Sequence, residues 1–277
     1  DGTVPTASAA TQSALQPPGA PTADAASSIT TTSFTANWTA ADVLATNFTV
    51  DVATDSGFTS FVSGWSSNNV GNVTSASVTG LTAGTTYYYR VRANNSAYGD
   101  SANSSTKSVL TKSPTITVTG SPVTLAFGSL TYNSGATGEQ TYSISGSYLL
   151  ADISVSAPSG FEISTTSGSG FGSSLTLTQS GGTVASTTIY VRFAPTLVQS
   201  YSANVANTSS GATTVNVAVT GTGMPNLPTV TTASPTDLTN SSLTVHGSIT
   251  SDGGGAILDR GVYYGYYNND ASLSNKS

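Results

Sequence analysis

The chain has 277 residues, a formal net charge of −6 and 7% charged residues, against roughly 25% in an average soluble domain. Its 7 Lys and Arg are too few to neutralise a phosphate backbone or an anionic membrane surface. It has no cysteine, which excludes disulfides, thiol catalysis and cysteine metal sites. No apolar run approaches the roughly 20 residues of a spanning helix. We therefore expect no nucleic-acid partner and no membrane insertion in this segment.

Ser, Thr, Gly, Asn and Val take the place of the missing charged residues. The chain is thus poor in the Glu, Lys, Leu and Arg that favour helices. Thr, Val, Tyr and Ile favour strands instead. The composition predicts an all-β protein.

Proline clusters at 16–21, 112–114 and 223–228 punctuate the sequence. Prolines stiffen such connections into extended linkers. They divide the chain into four predicted segments: 1–16, 17–112, 113–223 and 224–277.

Within these segments, apolar and polar residues alternate with a period of two. Short alternating runs with Gly-, Ser- and Asn-rich turns are typical of antiparallel sandwiches. The apolar positions of four such runs are Phe34, Ala36 and Trp38; Phe48, Val50 and Val52; Ile189, Val191 and Phe193; and Val215, Val217 and Val219.

Three consecutive tyrosines occur in the stretch GLTAGTTYYYRVRA, residues 80–93. Alternation predicts that Tyr87 and Tyr89 face a core and that Tyr88 faces solvent. A single exposed ring is not a sugar-binding platform, so we interpret the tyrosines as packing residues.

Four positions in the first block resemble those of a fibronectin type III domain. Trp38 stands where that family keeps its strand-B tryptophan, while Leu81, Gly84 and Tyr87 match its tyrosine corner, in which the phenol bonds back to upstream backbone. The resemblance covers residues 17–112. It implies a sandwich of about seven strands without inherent catalysis, in which these four residues maintain the fold.

The second block, 113–223, resembles the immunoglobulin-like modules of large secreted bacterial proteins. Its VRFAP strand and closing VTGTG are also similar to a sandwich family first noticed in ciliary and centrosomal proteins. Residues 242–270 resemble the first strands of a fibronectin-like repeat from Bacteroidetes-type surface proteins, which predicts a partial domain at 224–277. The overall fold class implied is tandem antiparallel β-sandwiches, fibronectin type III and immunoglobulin-like.

The leader, residues 1–16, shows a short similarity to the end of the first block. Residues 7–18 align with 102–114 at Ala, Thr, Ser and Leu positions ahead of a proline. We therefore expect the leader to be the last strand of an upstream repeat, and the chain to be a window from a longer array.

Candidate catalytic groups are few and scattered. His246 is the single histidine, and Glu139 and Glu162 are the only glutamates. We interpret His246 as a strand residue because no nucleophile accompanies it, and a small sandwich offers no cleft for a carboxylate pair. The glycine-rich stretches 251–256 and 165–174 are interpreted as a hairpin turn and a flexible loop. No catalytic residue and no cofactor site is predicted.

Calcium and glycosylation are the remaining site hypotheses. Turn aspartates such as Asp55, Asp252 and Asp259 could supply hard oxygen ligands, although no calcium-loop motif is present and we predict no metal site. The tripeptide DSA at 100–102 fits the short O-glycosylation pattern of Bacteroidetes, with Ser101 as the possible acceptor.

The sequence favours a non-catalytic stalk, spacer or adhesive segment of a long, secreted bacterial surface protein. Its expected partners are other modules of the same chain, with surface glycans or further copies of itself as further candidates. One alternative is a set of polysaccharide-docking modules attached to a secreted hydrolase. Another is the subunit of an extracellular filament assembled by strand addition. An extracellular or cell-surface location is expected in each case.

Overall fold

The computed structural model describes residues 16–120, 124–264 and 275–276. This part of the chain contains strands and turns and no helix, so the predicted all-β class is confirmed. Contacts divide it into two compact units. The first unit consists of the described residues up to Thr115 together with Ser147–Leu150 and Ser210–Ala212, and the second of the remaining described residues. The predicted leader strand at 1–16 lies outside the described residues except for Gln16.

Two antiparallel sheets form the first unit's sandwich. The smaller sheet has the order β1-β2-β5. Its strands are β1 (Thr22–Ala23), β2 (Ser33–Thr39) and β5 (Ser75–Thr79). In the larger sheet β3 lies between β4 and β6, and β6 also pairs with β7 and β8. Its strands are β3 (Asn47–Ala53), β4 (Asn68–Gly71), β6 (Thr86–Asn95), β7 (Gly99–Asp100) and β8 (Lys107–Leu110).

Aromatic side chains from both sheets meet in the core of this sandwich. Phe34 contacts Tyr89 and Trp38 contacts Phe48, each with ring centroids 5.8 Å apart. All four rings are buried. The period-two pattern of β2, β3 and β6 is therefore confirmed, because each apolar phase faces the interior.

Between β7 and β8 the chain follows β6 through serine side chains. The Ser101 hydroxyl accepts a hydrogen bond from the Ala93 N–H at 2.9 Å, and the Ser104 hydroxyl accepts one from the Val91 N–H at 3.0 Å. Each hydroxyl then donates to the carbonyl of the residue that follows it. The serines thus satisfy strand N–H groups that a regular ladder would have paired.

The second unit contains a larger sandwich of two sheets, with the orders β13-β15-β11-β9 and β10-β17-β16-β12-β14. Most neighbours are antiparallel, but β10 and β17 are parallel. The strands are β9 (Thr115–Thr119), β10 (Thr124–Thr131), β11 (Gln140–Ser147), β12 (Ile153–Ser156), β13 (Phe161–Ser164), β14 (Ser174–Leu177), β15 (Val184–Phe193), β16 (Ser200–Thr208) and β17 (Val215–Met224).

Four aromatic rings join the two sheets of this sandwich. Phe161 and Phe193 from one sheet contact Tyr201 from the other, with ring centroids 6.2 and 5.2 Å away. Phe127 of β10 contacts Phe161 at 5.7 Å. The Tyr201 hydroxyl also accepts a hydrogen bond from the Leu197 N–H at 3.1 Å, which fixes the turn before β16.

A buried polar pair lies between the two sheets. The Tyr142 hydroxyl donates to Asn207 Oδ1 at 2.9 Å, and the Asn207 amide donates to the Val215 carbonyl at 2.9 Å. Tyr142 and Asn207 are both buried, and this burial raises the pKa of the Tyr142 phenol. Because both groups have partners, the pair avoids the cost of an unsatisfied polar atom.

After β17 the chain forms an antiparallel hairpin of β18 (Thr229–Thr236) and β19 (Thr244–Ser251). Every residue of both strands is exposed. A short pairing of β20 (Tyr263–Tyr264) with β21 (Asn275–Lys276) follows. The glycine-rich stretch after β19 is a turn, in which the Gly254 N–H donates to Asp252 Oδ1 at 2.9 Å. Among the described strands β19 pairs only with β18, so this turn does not close the hairpin that was predicted for it.

Candidate functional site

The tyrosine row opens β6 and points mostly inward. Tyr87 and Tyr89 are 4% and 0% exposed, while Tyr88 is half-buried rather than open to solvent. The Tyr87 hydroxyl accepts a hydrogen bond from the Thr82 N–H at 2.9 Å, and the Tyr89 hydroxyl donates to the Asp24 carbonyl. Burial raises the pKa of the Tyr89 phenol. These rings form part of the core and do not offer an exposed platform.

The other predicted fold-maintaining residues lie around the same corner. Trp38 and Leu81 are buried in the core of the first unit. Gly84 adopts a positive φ of 63°, and its N–H donates to the Lys112 carbonyl at 3.1 Å. A Cβ at Gly84 would lie 2.6 Å from the Ser113 hydroxyl, so the turn requires glycine for both reasons.

Arg90 belongs to a buried ion pair that the sequence did not reveal. Its Nε donates to Asp51 Oδ2 at 2.9 Å, and its guanidinium lies 4.1 Å from the centroid of the Phe58 ring. Asp51 is 3% exposed and also accepts the Ser67 N–H at 2.6 Å. Asp51 lies inside β3, where its paired carboxylate tolerates burial.

Arg192 repeats this arrangement in the second sandwich. It forms an ion pair with Glu162 at 2.6 Å and stacks over Phe171 with its guanidinium carbon 4.1 Å from the ring centroid. The pair borders a shallow groove that Asn133 and Thr196 also line. This groove exposes hydrogen-bonding groups beside a partly covered ring.

The loop 165–174, predicted to be flexible, is anchored at both ends. Glu139 accepts hydrogen bonds from the Ser167 hydroxyl and the Gly168 N–H, each at 2.7 Å. Glu139 therefore holds this loop while Glu162 holds Arg192. The two glutamates have separate structural partners.

Asp55 organises the turn after β3. Its carboxylate accepts hydrogen bonds from the N–H groups of Gly57, Thr59 and Ser60 at 2.7–3.1 Å. These bonds lower the pKa of Asp55, and the bond from the Thr59 N–H has the largest effect. The oxygens that a calcium ion would use are thus already bonded to backbone.

The other two turn aspartates also bond to local backbone. Asp252 accepts the Gly254 N–H at 2.9 Å, and Asp259 accepts the Arg260 N–H at 2.8 Å. Within the described ranges, no three His, Asp or Glu side chains come together as a metal-binding group. In the same ranges no helix is long and apolar enough to cross a membrane.

Burial argues against the expected O-glycosylation of Ser101. The residue is 8% exposed, and its hydroxyl accepts from the Ala93 N–H and donates to the Ala102 carbonyl. A sugar on this oxygen would replace the proton that the hydroxyl donates to the Ala102 carbonyl. Glycosylation of Ser101 stays a prediction.

His246 lies on β19 with its Nε2 atom 2.8 Å from the Thr236 hydroxyl. Both residues are exposed, and the contact links the two strands of the hairpin. The structure brings no other predicted site residue to His246.

Sequence analysis missed the groups that hold the loops together. Three of these polar residues have partners far away in the sequence: Asp51, Ser104 and Asn207. A fourth, Tyr201, bonds to the nearby Leu197. The one available signal was Asp51, an acid inside an otherwise apolar and hydroxylic strand. Its partner could not be found without the register of β3 against β6.

Residues 19–109 match the family model of the fibronectin type III domain. They include the buried tryptophan, the tyrosine corner and the two sheets described above. Residues 19–109 are a fibronectin type III domain. This fibronectin domain confirms the first resemblance drawn from the sequence, whereas the families proposed for 113–223 and 224–277 stay predictions.

A longer stretch is similar to a curated protein. Over 120 residues the chain is 38% identical to Exoglucanase B of Cellulomonas fimi, a match that covers 43% of this chain. The match spans only 10% of the length of that protein.

Two of the matching solved structures are fibronectin domains of animal proteins. The FN1–FN3 domains of chicken CNTN1 are 17% identical, with 83% of this chain and 76% of that chain covered and a TM-score of 0.29. The FN5 domain of Drosophila Lar is 24% identical, with 34% of this chain and 97% of that chain covered and a TM-score of 0.28.

Proposed function

We propose that this chain is a non-catalytic spacer within a secreted or surface-displayed protein. The observation that carries the proposal is that several charged side chains of the two sandwiches are engaged with their own fold. Arg90 and Arg192 are each paired with a carboxylate and a ring, and the Asp55 carboxylate is bonded to backbone. Such a surface is inert, which suits a segment that separates other modules.

The expected mechanism is mechanical. Each sandwich has its own core, and proline-containing segments connect successive modules. The low charge and the many hydroxyl groups keep the exterior soluble without attracting charged partners. Fibronectin-like sandwiches are common in cell-surface proteins, which supports an extracellular location and, as a further step, a role in a bacterial surface array.

A replacement experiment in the full-length protein tests the spacer role. Exchanging residues 17–223 for two unrelated sandwiches of equal length should preserve surface display and the activity of the flanking modules. Deleting the same residues should reduce that activity, because the separation is lost. If the exchange abolishes activity as completely as the deletion does, these sandwiches have a specific partner and the spacer proposal fails.

A second candidate, docking on polysaccharide, is supported by the similarity to Exoglucanase B. The groove beside Arg192 is the surface that we assign to it, since Asn133 and Thr196 are exposed there next to the half-buried Phe171. Docking predicts that the chain is depleted from solution by an insoluble glucan. The spacer role predicts that it is not.

Variants locate any glucan binding that is observed. N133A and T196A should each weaken depletion if the groove is the docking site. T176A, an exposed threonine of β14 on the other sheet, is the matched control and should bind as the parent does. Binding that none of the groove variants weakens would place docking elsewhere.

A further inference from the structure

The exposed hairpin β18–β19 repeats the pairing of β1 with β2 in the fibronectin domain. Three residue pairs of the hairpin are each numbered 209 higher than a pair in the fibronectin domain, as 236 and 244 are against 27 and 35. Both pairings shift register by one residue at the same point, before the pair formed by Ser27 in the fibronectin domain and by Thr236 in the hairpin. The matching pairs are Thr22–Thr39 with Thr231–Ser248, Ala23–Trp38 with Thr232–Gly247, and Ser27–Thr35 with Thr236–Thr244.

The turn that leads into the second strand is also repeated. In the fibronectin domain the Thr30 N–H donates to the Ser33 carbonyl at 2.9 Å, and the two hydroxyls are 2.8 Å apart. In the hairpin the Thr239 N–H donates to the Ser242 carbonyl at 2.8 Å, and the hydroxyls are 2.7 Å apart. Register and turn therefore agree at equivalent positions.

Even the polar face of the hairpin follows the same plan. The Asn37 amide donates to the Ser27 hydroxyl at 3.0 Å in the fibronectin domain. At the equivalent positions His246 contacts the Thr236 hydroxyl at 2.8 Å. The single histidine thus occupies the place of a cross-strand amide, where a ring nitrogen can serve the same hydrogen bond.

The opposite face is apolar in both hairpins but differs in its exposure. Phe34 and Ala36 are 1% and 0% exposed in the fibronectin domain, but their counterparts Leu243 and Val245 are 51% and 46% exposed. Ile249 adds a third exposed apolar side chain on the same face by strand alternation. An apolar face with this register is the inner face of a sandwich without its second sheet.

We propose that this apolar face docks a second sheet formed by the stretch of the same polypeptide that follows Ser251. In the fibronectin domain β3, β5 and β6, which cover the face and edge of β2, all follow it in the sequence. Since the hairpin repeats the first two strands in register, the strands that complete it should come in the same order.

The fibronectin domain also indicates the chemistry of the docking strands. The β2 edge pairs with β5 in a register that sets Phe34 opposite Val78. The β2 face packs against alternate aromatic and β-branched residues such as Phe48 and Tyr89. The segment that docks on β19 should therefore supply one such edge strand and an apolar sheet face. This inference does not depend on the spacer role.

Single cysteines provide the test, because the natural sequence contains none. V245C places a thiol on the apolar face. S248C places a thiol on the opposite face of the same strand, at the position equivalent to Thr39, which is exposed in the fibronectin domain. A36C and T39C are the equivalent pair in the completed domain. In the natural full-length protein we expect the V245C thiol to react with a maleimide roughly 100-fold more slowly than the S248C thiol, because reaction requires local opening. The A36C and T39C thiols should differ in the same direction.

Each outcome decides the proposal. A V245C thiol that reacts as fast as S248C in the full-length protein would overturn it, since nothing then covers the face. Protection that increases with protein concentration, or that appears only on adding another chain, would assign the face to a second copy or a foreign strand and would also overturn it. Concentration-independent protection, repeated with a thiol at Leu243, supports docking by the same chain.

Discussion

Individual charged and phenolic side chains in this protein act mainly by fixing loops to strands. Arg90 joins β6 to Asp51 of β3 and to the ring of Phe58 in the following turn. Arg192 makes equivalent contacts in the second sandwich. In a chain with 7% charged residues, such positions carry specific structural roles.

The phenol of Tyr87 should contribute to the stability of the fibronectin domain. Y87F removes the acceptor of the Thr82 N–H in a partly buried hydrogen bond, so we expect a loss of about 1 kcal/mol in the free energy of unfolding. Urea denaturation followed by tryptophan fluorescence measures it, because Trp38 and Trp65 are the chain's 2 tryptophans. Y88F is the control and should cost less. Equal losses of unfolding free energy in Y87F and Y88F would show that the Tyr87 hydrogen bond does not stabilise the domain.

The Asp55 carboxylate should make stability depend on pH. Hydrogen bonds from backbone N–H groups lower its pKa below the ordinary 3.8, and the bond from Thr59 contributes most. The ionised form is therefore favoured by folding, so its contribution is fully present above the unfolded pKa and is lost as pH falls through the folded one. D55A should destabilise the domain at pH 7, and its difference from the parent should shrink below about pH 4. A constant difference from pH 7 to pH 2 would contradict this.

At the scale of strands, the sequence was informative wherever side chains alternate. The buried phases of β2, β6, β15 and β17 follow from their spacing of apolar residues, because one face of each strand meets a core, whereas β3 is buried on both faces. The sequence did not reveal that Ser101 and Ser104 replace ladder bonds, since their partners on β6 depend on register. Nor could it reveal the parallel pairing of β10 with β17, which depends on tertiary order.

The turn after β19 is held by close backbone contact. The Asn226 N–H donates to the Gly253 carbonyl at 2.8 Å, and a Cβ on Gly253 would lie 2.0 Å from the Asn226 carbonyl oxygen. G253A should break this contact and increase hydrogen exchange at Asn226. G181A is the control, because Gly181 also has a positive φ, of 57°, but no atom lies near its added Cβ. It therefore measures the effect of backbone strain without a clash. Unchanged exchange at Asn226 in G253A would show that the contact is dispensable.

On the scale of the whole molecule, the apolar clusters around Trp38 and around Phe193 each lie within one compact unit. Separate cores allow modules to unfold separately. The alternation and the proline clusters were sufficient to predict tandem sandwiches. The families of the later segments could not be fixed from the sequence, because short β-strands of similar composition serve many sandwich folds.

Separate cores predict separate effects of core mutations. Phe193 is 0% exposed, so F193A should destabilise the second sandwich by about 3–5 kcal/mol through lost packing and a cavity. Tryptophan fluorescence should keep its urea midpoint, whereas far-ultraviolet circular dichroism should show an earlier transition. The matched F34A variant should shift the fluorescence midpoint instead. A fluorescence shift in F193A would indicate coupled unfolding.

The parallel alignment of β10 with β17 determines how the second sandwich would bear tension. β10 lies near the start of that sandwich and β17 is its final strand, and six residue pairs align along them in the same direction. Tension that reaches β10 and β17 from opposite ends would slide these two strands past one another, so that several residue pairs would resist together. An antiparallel pair loaded at one end would instead open one residue pair at a time. The direction of this single pairing therefore favours resistance to stretching along these strands.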